Sequence, residues 1–163
     1  MNICKDQFFE AVKAVEEFQD PALRFVRPPR KYQKWLNSLP LPTELAKFLL
    51  EACMDGGTCN LGVADIFPWR QLIEANTEFP FILEGGFWIM GAAGNGDMVG
   101  VDWKHGMGKT GYLNHDALWV WDEEEYPDPK DHFRPVSDSI GEFALLATDM
   151  EHCPLDYYGT MPD

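Results

Sequence analysis

FWIMGAAGNGDMVGVDW, residues 87–103, decides the fold because it predicts a β-hairpin. Two apolar runs flank Asn95-Gly96, and this dipeptide is the strongest short signal for a hairpin turn, since both residues tolerate positive φ. We therefore expect two antiparallel strands joined by a type I′ turn. Asn95, Gly96 and Asp97 are assigned a structural role in that turn.

The apolar pattern also predicts one register for the hairpin. With a two-residue loop, six apolar side chains fall on one face of the ribbon, and a slip by one residue would scatter them. The expected pairs are Trp88 with Trp103, Met90 with Val101 and Ala92 with Val99. On the other face Gly91 would pair with Gly100, which predicts a flat spot where a backbone or a partner comes close.

Helical periodicity flanks this central region. Residues 6–18 predict a helix with Asp6 as its N-cap, and residues 42–52 predict a core helix. Ser139 and Glu142 form a capping box, in which Ser139 caps the first turn and Glu142 reaches back to the Ser139 amide. Helices around antiparallel strands predict an α+β fold with a mostly antiparallel central sheet.

Other segments are less regular. Residues 64–75 predict a short extended piece and then helical turns from Pro68, residues 74–80 predict a loop, and residues 118–121 predict a strand. The expected division is an N-terminal helix and basic connector at 1–35, a main domain at 36–150, and a tail at 151–163. The N-terminal part could dock on the main body or remain a solvated linker.

Charge and composition exclude several functions. The 163 residues carry a net charge of −14, and thirteen of the 27 acidic residues lie in residues 114–163, which hold only two basic ones. Such a field repels nucleic acid and anionic membranes and attracts basic partners. With no long apolar run and no secretory signal pattern, a cytoplasmic location is expected. The four cysteines lack metal-site spacing, so no metal is expected. No cofactor is expected either, because the chain lacks a phosphate-binding loop and its Gly-rich stretch lies between two strands rather than before a helix.

Catalytic signals are weak. None of the four histidines lies in a zinc-protease or deaminase motif, and there is no nucleophile elbow or phosphate-binding loop. One arrangement stays open: His115, beside a turn, could act with Asp97 and Asp102 as a small hydrolase or a metal-dependent enzyme. Two acids at strand spacing with a turn histidine are more typical of loop caps, so we expect no enzymatic activity.

Residues 119–128 are better suited to binding a protein. Two tryptophans precede a run of carboxylates and a tyrosine, so aromatic anchoring area would be surrounded by charge that speeds association with a basic partner. Alternatively, both tryptophans belong to the core. The candidate partner-binding residues are Trp121, Asp122, Glu123, Glu124, Glu125, Tyr126 and Asp128.

Four segments, taken in order, resemble one known family. They are LPLPTE leading into FLL at 39–50 and a following Gly-Gly, the hairpin at 88–102, His115-Asp116, and VSDSIGEF at 136–143. Together they resemble the SUKH superfamily, which includes fungal cell-wall-synthesis regulators of the Smi/Knr type and bacterial immunity proteins. The resemblance covers about residues 36–147, and Ile140 stands where the family usually has Phe.

This resemblance implies an α+β fold without catalytic activity. Many bacterial members act in the cytoplasm and neutralise a toxin, often a nuclease, by binding it. The expected function is therefore that of an acidic immunity protein with a basic protein toxin as its partner. The alternatives are a regulatory or scaffold member of the same fold without a toxin partner, and the enzyme using His115, Asp97 and Asp102.

Overall fold

The computed structural model describes residues 1–120 and 124–163. Within them, seven α-helices and eight β-strands form an α+β fold. The helices are α1 (Lys5–Ala14), α2 (Arg30–Asn37), α3 (Thr43–Glu51), α4 (Trp69–Glu78), α5 (Pro80–Glu84), α6 (His115–Leu118) and α7 (Ile140–Thr148). The strands are β1 (Arg24–Phe25), β2 (Met54–Asp55), β3 (Cys59–Asn60), β4 (Ala64–Ile66), β5 (Phe87–Ala93), β6 (Met98–Asp102), β7 (Lys109–Leu113) and β8 (Phe133–Ser137).

An antiparallel meander of six strands organises the molecule. Strands β3 to β8 pair in chain order, and β1 pairs with β2 in a separate two-stranded sheet. Side chains alternate across β5, so Trp88 and Met90 join the main core while Phe87 and Ile89 join a smaller second core. Both faces of the central sheet are therefore covered, and strands buried on both sides explain the nearly continuous apolar run of this segment.

The predicted hairpin forms, but its turn is longer than expected. Gly96 N donates to Ala93 O over 3.0 Å, and Ala93 N donates to Asp97 O over 2.7 Å. The loop therefore contains three residues, and only Gly96 among them has a positive φ, +95°. The type I′ prediction is wrong, because a three-residue loop with one left-handed glycine closes this hairpin instead.

A β-bulge changes the register. Trp88 pairs with Val101 rather than with Trp103, and the pairing shifts between Ile89 and Gly91. The extra residue moves Ala92 to the opposite face, where it lies beside the second core, while the other five predicted side chains stay with the main core.

The expected Gly91–Gly100 pair does not form. Gly91 faces Val99, and Gly100 faces Ile89. A Cβ on Gly91 would overlap the carbonyl oxygen of Asp65 on β4, so the close approach expected here is made by the neighbouring strand of the same sheet.

The N-terminal helix docks on the main body. Helix α1 packs against α7, and Phe8 meets Phe48 edge to face with ring centroids 5.1 Å apart. Cys4, not Asp6, holds the N-cap position, and the helix ends before Phe18, which is 77% exposed. Helix α2 begins inside the predicted basic connector and extends two residues beyond its expected end at residue 35. The cations of the connector form no ion pair with a described carboxylate.

Two other helix predictions are confirmed, one with a correction. Helix α3 buries Leu45, Phe48 and Leu49 as its periodicity predicted. At the start of α7, Ser139 Oγ accepts a hydrogen bond from Glu142 N over 3.1 Å. Glu142 Oε2, however, accepts from the amide of Asp138, one residue before the predicted Ser139 amide.

Two element predictions are wrong for identifiable reasons. Residues 74–80 are mostly helical, because the buried Asn76 side chain binds the backbone of Leu72 and of Ile89 and holds α4 against β5. The strand predicted at 118–121 does not form in its described part: residue 118 ends helix α6, and residues 119–120 belong to no strand. The helix begins at Asn114, whose Oδ1 caps the turn by accepting from Asp116 N over 3.0 Å. Residue 121 lies outside the described residues. Tertiary contacts thus make a helix of the predicted loop at 74–80, and a helix cap outweighs local strand propensity at residue 118.

Candidate functional site

The buried carboxylate of Asp97 lies at the centre of a polar cluster at the loop end of the hairpin. Its Oδ2 accepts from Asn95 Nδ2 and from the backbone amide of Tyr157, both over 2.9 Å. Its Oδ1 accepts from His115 Nδ1 over 2.7 Å and from His115 N over 3.1 Å. We call Asp97, Asn95, His115 and Tyr157 the Asp97 hub. It joins the hairpin turn, the start of α6 and the C-terminal tail.

These contacts set the ionisation of the carboxylate. Burial acts to raise the pKa of Asp97, but the hydrogen bonds from His115, Tyr157 and Asn95 outweigh burial and hold the pKa below its usual value. An ionised carboxylate has about four acceptor positions, and four donors occupy them here. Asp97 is thus saturated by the protein itself.

The hub bears on the enzyme alternative. His115 and Asp97 meet as that alternative required, and His115 Nε2 lies 3.1 Å from Asp116 Oδ1. Asp102 lies at the far end of β6, about 16 Å from Asp97 at the usual rise per strand residue, and accepts from His105 N over 2.8 Å. The structure therefore brings together only two of the three predicted catalytic residues. Both nitrogens of His115 face carboxylates, which suits a structural linkage.

Beside the hub, four aromatic rings form a surface patch. Phe79 stacks on Trp119 with ring centroids 6.4 Å apart and an interplanar angle of 6°, and Phe81 stacks on Tyr126 at 4.7 Å. Phe79 and Phe81 meet edge to face at 6.4 Å, which joins the two stacks. Trp119 is 50% exposed and Tyr126 52% exposed. We call Phe79, Phe81, Trp119 and Tyr126 the aromatic patch.

The described carboxylates of residues 122–128 lie next to Tyr126 in the chain. Glu124 and Glu125 are exposed and form no hydrogen bond or ion pair with a described residue. Asp128 Oδ1 accepts from Lys130 N over 3.0 Å and so caps a short 3₁₀ turn, Pro129–His132. Three predicted partner-binding residues, Trp121, Asp122 and Glu123, lie outside the described residues.

The alternative that both tryptophans belong to the core fails for Trp119. Half of its surface is exposed, and its ring lies over Phe79 at the margin of the second core. The patch also includes Phe79 and Phe81, which the sequence did not mark as functional. Their only sequence signal is the Phe-Pro-Phe run at 79–81, in a segment predicted to be a loop up to residue 80.

The described residues contain no cluster of metal-ligating side chains, and three of the cysteine thiols are buried. In the described part of the chain, no three His, Cys, Asp or Glu side chains come together in a way that could hold a metal ion. Burial raises the pKa of the Cys53, Cys59 and Cys153 thiols to about 11, which keeps them protonated near neutral pH. No helix among the described residues is long and apolar enough to cross a membrane.

Comparisons with protein-family models, with curated proteins and with solved structures found no match to this chain.

Proposed function

We propose that this chain is a non-enzymatic binding domain of the SUKH type, which neutralises a basic protein toxin, such as a nuclease, by direct contact. The observation that carries the proposal is the aromatic patch beside carboxylates that have no partner among the described residues. The contact surface would consist of this patch and the acidic residues 122–128.

The aromatic patch has the properties of an interface anchor. Trp119 and Tyr126 each leave about half of their surface in solvent while a second ring supports them from behind. Supported, rigid aromatic side chains lose little conformational entropy on binding, and Trp and Tyr are enriched among the residues that dominate binding energy. A partner that covers the patch would bury apolar surface with little loss of side-chain conformational entropy.

Charge specifies the kind of partner. Residues 114–163 carry thirteen acidic and two basic residues, and Glu124 and Glu125 extend into solvent beside the patch. Exposed carboxylates without partners raise the association rate of a cationic protein and repel anionic ones. A basic nuclease fits, since its own surface is suited to phosphates.

The arrangement of the SUKH-like segments supports the family assignment. The hairpin segment and the His115-Asp116 segment are separate in sequence, yet a 2.7 Å hydrogen bond between Asp97 and His115 joins them. The remaining two segments form α3 and the start of α7, and both pack on the main core. If the four segments belong to one family fold, we expect them to contact each other or to share one core, as they do here.

A co-expression experiment tests the proposed function. The polypeptide encoded immediately upstream of this chain in its genome is expressed in a bacterial host with and without the chain. We expect the polypeptide alone to stop growth, the chain to restore it, and the two purified proteins to bind with an affinity that falls as salt rises. A harmless upstream product that does not bind the chain would contradict the toxin-neutralising role and favour the regulatory alternative.

The acidic residues are tested with matched variants. Glu123→Gln, Glu124→Gln and Glu125→Gln together remove three charges from the acidic run that precedes Tyr126 in sequence. The control variant Glu10→Gln, Glu16→Gln and Glu17→Gln removes three charges from α1 and the turn after it. We expect the first triple variant to weaken binding about tenfold and the second to change it about twofold or less. Equal losses in both variants would show that only net charge matters and would remove the proposed surface.

A further inference from the structure

A groove runs beside the aromatic patch, between α4 and the loop end of the hairpin. It encloses about 270 Å³ and has an apolar floor that includes Ile89 and Met98. Trp119 and Phe79 line it on the patch side, and Glu74 and Glu78 line it on the α4 side. It thus combines an aromatic wall, an apolar floor and an acidic rim.

The two rim carboxylates are poorly placed for helix stability. Glu74 and Glu78 are four residues apart on α4, so their like charges repel each other. Glu78 is also the last residue of the helix, where the macrodipole disfavours a negative charge. Both side chains are exposed, and neither forms an ion pair with a described residue. A cation between them would relieve both penalties.

The dimensions of the groove indicate a side chain as its occupant. Its volume of about 270 Å³ lies at the lower end of the range of about 300–1,000 Å³ that pockets for drug-sized ligands usually have, which leaves room for one long side chain. An arginine side chain matches both the apolar and the charged parts of the groove. Its aliphatic stem can lie on the apolar floor, and its guanidinium can stack on an indole and bind carboxylates. Lysine lacks the planar face that stacks on Trp119.

We infer that this groove is the specificity site for an arginine side chain of the basic partner. The arginine stem lies along Ile89 and Met98, its guanidinium stacks against the exposed part of Trp119, and Glu74 and Glu78 neutralise its charge. This inference rests on the proposed function, because it names the group that the partner inserts. It extends the binding surface from residues 119–128 to α4, which the sequence did not single out.

The inference can be tested without the partner. N-acetyl-L-argininamide is titrated into the ¹⁵N-labelled full chain, and the indole N–H signal of Trp119, assigned with Trp119→Phe, is followed by NMR. N-acetyl-L-citrullinamide serves as the ligand control, since it has the same shape without the charge. Glu74→Gln/Glu78→Gln is compared with Glu16→Gln/Glu17→Gln, which removes the same charge from an exposed turn far from the groove in sequence.

We expect argininamide to shift the Trp119 signal saturably, citrullinamide to shift it little, and Glu74→Gln/Glu78→Gln to weaken binding about tenfold. Glu16→Gln/Glu17→Gln should leave the affinity within about twofold. Three results would each overturn the inference: citrullinamide binds as tightly as argininamide, the Glu74→Gln/Glu78→Gln variant binds argininamide as tightly as the wild type, or the Trp119 signal shows no saturable shift. Because no toxin is involved, these results are independent of whether the upstream product proves toxic.

Discussion

The two ends of helix α6 lie one turn apart, and they differ in whether their side chains are bound within the protein or exposed to solvent. At its first residue, His115 is bound to Asp97, whose four acceptor positions all have donors within the protein. Just past its last residue, Trp119 lies half exposed in the aromatic patch. Saturated polar groups stabilise a fold, whereas exposed aromatic rings and unpaired charges remain available to a partner. The contrast separates, within one short segment, a residue held by the fold from a residue that we propose contacts a partner.

The largest expected effect follows from removing the carboxylate of the Asp97 hub. Asp97→Ala removes a buried carboxylate and leaves the donors of Asn95, His115 and Tyr157 without their acceptor, so we expect the free energy of unfolding to fall by about 3 kcal/mol. Urea denaturation at neutral pH measures the change. Asp131→Asn, at an exposed residue whose carboxylate forms no hydrogen bond or ion pair with a described residue, is the control and should change stability by less than about 0.5 kcal/mol. Similar values for the two variants would contradict a structural hub.

The same carboxylate predicts a loss of stability in acid. The folded state holds the pKa of Asp97 below its usual value, so its contribution is complete above the unfolded pKa of about 3.9 and is lost as pH falls through the folded pKa. Urea midpoints measured from pH 6 down to pH 2 should therefore fall more steeply for the wild type than for Asp97→Asn. Parallel curves for the two proteins would show that Asp97 is not ionised in the hub.

A smaller effect is expected at the hairpin turn. Gly96→Ala forces a Cβ into a left-handed conformation at φ +95° and should destabilise the protein by about 1 kcal/mol. Gly94→Ala is the matched control in the same loop, because its φ is not positive and a Cβ there meets nothing within 4 Å. Thermal denaturation should separate the two variants. Equal melting temperatures would contradict the three-residue loop with Gly96 as its left-handed residue.

The smallest effect on stability is expected at the exposed carboxylates. Glu124→Gln/Glu125→Gln removes no described contact, so the free energy of unfolding should stay within about 0.5 kcal/mol of the wild-type value. Urea denaturation alongside Asp97→Ala provides the comparison. A loss as large as that of Asp97→Ala would mean that these carboxylates stabilise the fold and are not free for a partner.

Periodicity and turn chemistry predicted the fold class, because each signal was local. The two apolar runs on either side of Asn95-Gly96 identified both hairpin strands, and the spacing within residues 42–52 identified α3 and its buried face. The bulge after Ile89 could not be predicted, since it depends on pairing with β6 and reverses the face of Ala92 without any change in composition.

The candidate site was less predictable because distant segments create it. The acidic residues beside Tyr126 were visible as a charge run, but the rings that support the patch come from residues 79–81, about 40 residues earlier. Likewise, Tyr157 reaches Asp97 across 60 positions of sequence. A β-prone run at 118–121 suggested a strand, whereas the Asn114 cap begins a helix that leaves Trp119 at the surface.

Binding of the upstream gene product by Trp119→Ala/Glu124→Gln/Glu125→Gln tests the central claim most directly. Isothermal titration calorimetry at about 0.15 M salt is combined with a melting curve of the same sample. We expect the affinity to fall by at least about a hundredfold, because an interface anchor and its charges are lost. The variant should still unfold cooperatively, with a melting temperature close to that of the wild type, because the Asp97 hub is intact. Wild-type affinity in this folded variant would contradict the claim that the aromatic patch and its carboxylates form the binding surface.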